Sequence, residues 1–101
     1  MRLTRKLHYA DKLTHFLSNH LQKPVFHDVT RHLTEIEITG YAPSAPHLPY
    51  RAIVKHDDAG QYNNIYIDCV IKDLSVSDIA WLKGHIASAI FEFENTKFTK
   101  I

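Results

Sequence analysis

Apolar residues along the first part of the chain, Leu3, Leu7, Ala10, Leu13, Leu17 and Leu21, recur every three or four positions. That spacing gathers side chains on one face of an α-helix. It predicts a first helix over residues 3–21, with Arg5, His8, Asp11, Lys12, His15 and Asn19 on the opposite face. The helix is expected to stop at Lys23-Pro24, because the residue before a proline is pushed out of the helical region. From Val25 the pattern changes to β-branched residues, and Glu35-Ile36-Glu37-Ile38 alternates with period two. A strand is predicted from Leu33 to Thr39. Val25–Val29 reads as either an earlier strand or a loop, since its alternation is out of phase with the later one.

The segment Ala42-Pro43-Ser44-Ala45-Pro46-His47-Leu48-Pro49 holds three prolines in eight residues and is expected to be a stiff, irregular loop. Tyr50 to His56 reads as a second strand, and Asp57-Asp58-Ala59-Gly60 supplies hairpin turn residues. In a third strand Ile65, Ile67, Cys69 and Ile71 form an apolar face, with Tyr62, Asn64, Tyr66 and Asp68 on the other. Ser75 opens a second helix, where Ser75 and Asp78 have capping-box spacing with Asp in place of Glu or Gln. Ile79, Leu82, Ile86, Ala89, Ile90 and Phe93 form its core face. Residues 94–101 lack periodicity and are expected to be a flexible tail or a short extra strand.

These elements predict an α+β fold: a three- or four-stranded antiparallel sheet with two amphipathic helices on one face, in one domain over residues 1–101. The sheet's other face is left open, with Glu35, Glu37, Tyr62 and Tyr66 on it. Such a face is either solvated or a binding surface, and Tyr62 and Tyr66 are the candidates for binding.

Composition changes this picture little. A hydrophobic fraction of 45% and a charged fraction of 23% are those of a folding chain. The single cysteine, Cys69, cannot form an internal disulfide, which leads us to expect a cytoplasmic protein. No apolar run approaches the roughly 18 residues a membrane span needs, so no membrane association is expected. Net charge is +1, but residues 1–27 carry Arg2, Arg5, Lys6, Lys12 and Lys23 against Asp11 alone. The first helix is thus a basic element on a mildly acidic body, the arrangement of a solvated helix or of an anion-binding face.

The most specific anomaly lies on the second helix. Trp81, His85, Ser88 and Glu92 fall on one ridge away from the core stripe, with Gly84 and Phe91 beside it. A tryptophan there should be covered, and a glycine inside a helix, which costs about 1 kcal/mol relative to alanine, suggests close approach of another backbone or large side chain. These six residues are the candidate partner-binding set, for a protein or for a second copy in a homodimer. The competing expectation is that Phe98 and Ile101 of the tail, or the proline-rich segment, fold back over Trp81.

Other chemistries find less support. His8, Asp11 and His15 share a ridge of the first helix and are the candidate metal ligands, but no fourth ligand can be located and no metal or other cofactor is expected. Cys69 sits on an apolar strand face, no nucleophile elbow frames a serine, and Gly40, Gly60 and Gly84 are too scattered to cradle phosphate. Catalysis is therefore not expected. From Leu7 to Phe93 the order helix, three strands, helix resembles the topology of the double-stranded-RNA-binding domain, which implies RNA as a partner. That family grips phosphates with a lysine-rich cluster opening its last helix, whereas Ser75-Val76-Ser77-Asp78-Ile79-Ala80-Trp81 holds no basic residue before Lys83. Nucleic acid, contacted by Arg2, Arg5 and Lys12, is the alternative partner. The function expected first is a small non-enzymatic interaction protein of the inhibitor or immunity type.

Overall fold

A computed structural model describes the backbone of residues 2–99 and the side chains of residues 9–95. The elements are α1 (Arg2–His20), β1 (Asp28–Arg31), β2 (Glu35–Ala42), β3 (Ala45–His56), β4 (Tyr62–Asp68) and α2 (Val76–Thr99). The strands form one antiparallel meander in the order β1-β2-β3-β4. The chain is therefore an α+β domain with a four-stranded sheet. The fourth strand, β1, comes from the stretch whose phase did not match β2: His32-Leu33-Thr34 turns the chain between them, which resets the alternation.

The period-two pattern decides which face is buried. Ile36 and Ile38 of β2 and Tyr50, Ala52 and Val54 of β3 are buried, joining Leu13 and Leu17 of α1 and Leu82, Ile86 and Phe93 of α2 in one core cluster. Both helices therefore lie on the same side of the sheet. Of the α1 stripe, Ala10, Leu13 and Leu17 are buried, as is Leu21 just past the helix end; Leu3 and Leu7 lie outside the described side chains.

Four local expectations need correction. Pro46 and Pro49 do not lie in a loop: Pro43-Ser44 makes the turn, and β3 begins at Ala45. The β3–β4 pairing ends at Arg51↔Asp68, so residues 45–50 have β2 on one side only, and a free edge is where a strand accommodates proline. β4 ends at Asp68, leaving Ile71 exposed in the following connection instead of extending the apolar face. Residues 94–99 form neither tail nor strand but continue α2, and Lys100 and Ile101 lie outside the described residues.

The fourth correction concerns Tyr62, which is 7% exposed and belongs to the core instead of the open face. The β3–β4 register runs Lys55↔Asn64 and then His56↔Tyr62, so Asn63 is an extra residue in β4. One extra residue reverses which face the chain's next side chain meets. The bulge is held by the preceding turn: Ala59 and Gln61 amides donate to Asp57 Oδ1 at 2.9 and 3.0 Å, and Asn63 Nδ2 donates to Asp57 Oδ2 at 2.9 Å. Gly60, at φ 88°, takes the left-handed conformation this turn requires. Tyr62 then stacks on Tyr9 of α1, with ring centroids 6.2 Å apart.

Candidate docking site

α2 begins as its cap predicts: the Asp78 amide donates to Ser75 Oγ at 3.1 Å. The Asp78 carboxylate does not complete a capping box. Buried at 5% exposure, it accepts the Ser44 hydroxyl at 2.6 Å and ties the β2–β3 turn to the start of the helix. An acid there also faces the positive end of the helix dipole. With its start anchored and Leu82, Ile86, Ala89 and Phe93 in the core, α2 has no rotational freedom, so the ridge of Trp81, His85 and Ser88 is held at one edge of the buried stripe.

What meets that edge is the connection between α1 and β1. After α1 the chain passes through a cis Lys23–Pro24 bond and brings Val25 and Phe26 across β2. The Tyr50 hydroxyl donates to the Val25 carbonyl at 2.5 Å, and a Cβ on Gly40 would lie 1.7 Å from that oxygen. Only glycine at position 40 lets the connection come so close. Burial pushes the Tyr50 phenol above its ordinary pKa, so it stays a donor.

Phe26, 3% exposed, stacks against Trp81 at 6.0 Å, and Trp81 in turn stacks on His85 at 4.0 Å. Val25, Phe26, Trp81, His85, Ser88 and Ala89, with His20, Leu21 and Gln22 at the end of α1, line a cleft of about 210 Å³. Trp81 is left 42% exposed at its rim. Glu92 lies 3.2 Å from His20 Nε2, bridging the two helices beside the cleft. The expectation that the tail or the proline-rich segment covers the indole is replaced in part by Phe26; Phe98 and Ile101 lie outside the described side chains. Phe26 and Val25, the end of α1 at His20, Leu21 and Gln22, and Ala89 of α2 were missed as site residues. The one signal for Phe26 was a large aromatic just after Lys23-Pro24, in the stretch read as strand or loop.

Gly84 and Phe91 stand apart from the cleft. A Cβ on Gly84 would meet nothing within 4 Å, and Phe91 is 65% exposed. The close neighbour expected at Gly84 is thus not supplied from within the subunit by any described residue.

The remaining described candidates fall on two other surfaces: Tyr66 on the open sheet face, and Asp11, Lys12 and His15 around an open depression beside Phe16 and Phe93. Tyr66 is exposed on the open face, with Lys55 Nζ 5.8 Å from its ring centroid. Around it the face is polar: Glu37 accepts from His32 Nε2 at 2.8 Å, with Arg51 Nε 4.0 Å away. On α1, Asp11 pairs with Arg31 Nε at 2.7 Å, close but not aligned as a hydrogen bond, and His15 bonds Asn19 at 3.2 Å. Among the described residues no three His, Cys, Asp or Glu side chains converge as metal ligands, and His8 lies outside the described side chains. So do Arg2 and Arg5; Lys12 is exposed. Among the described residues no helix is long and apolar enough to cross a membrane. Comparison with protein-family models, with curated proteins and with solved structures finds no match for this chain.

Proposed function

We propose that this chain is a non-enzymatic interaction protein that docks a macromolecular partner, a protein, through the outer ridge of α2 and the cleft beside it. The observation that carries this reading is the position of Trp81: stacked on two rings along one side, 42% exposed on the other, at the mouth of a cleft. The size of the cleft supports a protein partner over a small organic ligand. Sites for small organic ligands enclose about 300–1,000 Å³, whereas about 210 Å³ suits one inserted side chain from a larger partner. A half-covered aromatic beside small residues is also how protein interfaces build their energetic centres. Gly84 leaves the adjoining helix surface flat and unobstructed.

Trp81 is the chain's single tryptophan, so its fluorescence reports on this site alone. Proteins cross-linked to the wild type should be lost together with Trp81→Ala and with Gly84→Arg, and retained with Lys12→Ala. The purified partner should shift the Trp81 emission to shorter wavelength. Gly84→Arg adds bulk where nothing is touched, so it blocks docking without unfolding the domain. A partner captured equally by both ridge variants, or one that leaves the emission unchanged, overturns the proposal.

A further inference from the structure

β4 pairs with β3 along one side, and among the described residues no strand lies along its other side. A row of backbone N–H and C=O groups is thereby presented to any strand that comes alongside. The sheet's opposite edge is protected in ways β4 is not. β1 has four residues, charges at both ends, and Arg31 held by Asp11 of α1. β4 has seven residues, no proline, and one charge, Asp68, at its very end. Apolar groups accompany it on both faces. Tyr66 is 58% exposed on the open face, Ile65 and Ile67 are half-covered on the helix side, and Val70 and Ile71 beyond them are exposed.

We propose that β4 pairs antiparallel with β4 of a second copy of this chain, joining two sheets into one about a two-fold axis. The residue pattern selects a second copy as the occupant because it is self-complementary. With the axis at Tyr66, Ile65 stands opposite the second copy's Ile67, and Ile67 opposite its Ile65. Asn64 stands opposite Asp68, so a carboxylate meets an amide donor, and the two Tyr66 rings meet on the open face. No like charges face each other. Moving the axis one residue, to Ile65, would leave a single Ile65–Ile65 pair and put Ile67 opposite Asn63 and Tyr66 opposite Asn64, whereas the Tyr66 axis gives two isoleucine pairs and is the favoured register. The isoleucines are the side chains that their own subunit leaves half-covered, and the pairing covers them. This surface is independent of the α2 ridge, which faces Phe26 and the end of α1.

The test uses the whole chain in sedimentation equilibrium over a wide range of concentration. The wild type should approach twice the monomer mass. Tyr66→Lys places two ammonium groups opposite each other at the axis and should weaken association about tenfold, as should Tyr66→Glu. Mixing the two variants should restore association beyond that of either alone, because opposite charges then meet at the axis. Far-UV circular dichroism checks that both variants remain folded. If either does not, hydrogen exchange on the wild type decides: β4 amides gain protection with rising concentration in the dimer. A monomer at every concentration overturns the inference. So does a dimer abolished by Trp81→Ala but indifferent to both Tyr66 variants, or a mixture no more associated than its components.

Discussion

Single residues in this protein owe their identity to contacts that arrive from elsewhere in the chain. Gly40 lies in a strand, where glycine normally weakens pairing, yet the Val25 carbonyl occupies the space a side chain would need. Gly40→Ala should therefore destabilise the fold by at least about 3 kcal/mol, the upper end of overpacking costs, since the obstacle is backbone. Tyr50→Phe removes the donor to that carbonyl and should cost about 1–2 kcal/mol. Urea unfolding of the two variants checks both, and equal small effects would contradict the close approach. Asp57 shows the opposite situation, a residue whose role is local and readable. Hydrogen bonds from the Gln61 amide, the Asn63 side chain and the Ala59 and Gly60 amides hold its carboxyl below the usual carboxylate range. A carboxyl with a lowered pKa stabilises the fold above its unfolded value, near 4, and that contribution disappears as pH falls through the folded value. Hydrogen exchange at the Ala59 and Gln61 amides should accordingly speed up, beyond its intrinsic pH dependence, as the pH drops below about 4. In Asp57→Asn this acid-dependent loss should be absent.

At the scale of elements, periodicity was a reliable guide wherever one face alone is buried. α1, the start of α2 and the alternation of β2 follow directly from apolar spacing and from a cap at Ser75. It misled where pairing geometry intervenes. The alternation through Tyr62, Asn64 and Tyr66 puts all three on one face, and the bulge at Asn63 turns Tyr62 to the other. Nothing in Gln61-Tyr62-Asn63-Asn64 announces an extra residue; Asp57, by bonding the Asn63 side chain, makes it. Prolines misled in the same way, because whether Pro46 and Pro49 can enter a strand depends on where β4 ends. Gly84 gives the element-scale prediction. It is an exposed mid-helix glycine with open space around it, so Gly84→Ala should stabilise the isolated domain by about 0.5–1 kcal/mol. That corresponds to a rise in Tm of about 2–8 °C for a domain of this size. The same change should do little harm to docking, unlike Gly84→Arg, and a fall in Tm would show that the helix surface is not open there.

For the molecule as a whole, the meander has a covered side and a bare side, a protected edge and an exposed one. The helices account for the covered side, and the polar network of Glu37, His32 and Arg51 for much of the bare one. Among the described residues, the rim of the cleft at Trp81 and the free edge of β4 are the two features to which we assign neighbours outside the subunit. They lie on different elements and answer to different variants. Trp81→Ala should lose the docked protein, at a stability cost of about 1–2 kcal/mol, less than for a fully buried ring. The Tyr66 charge variants should lose self-association while keeping docking. If one variant abolished both, a single surface would be serving both roles and the division proposed here would fail.

Apolar spacing alone was enough to specify the α+β class, the two helices, most strand positions and the ridge carrying Trp81, since helix and strand periods are properties of a single segment. The site needed the tertiary structure. Phe26 reaches Trp81 because Gly40 admits the Val25 carbonyl over β2, and β4 is an edge because β1 pairs on the far side of β2. Each of these depends on segments distant in the chain meeting in space, and no local pattern encodes such a meeting.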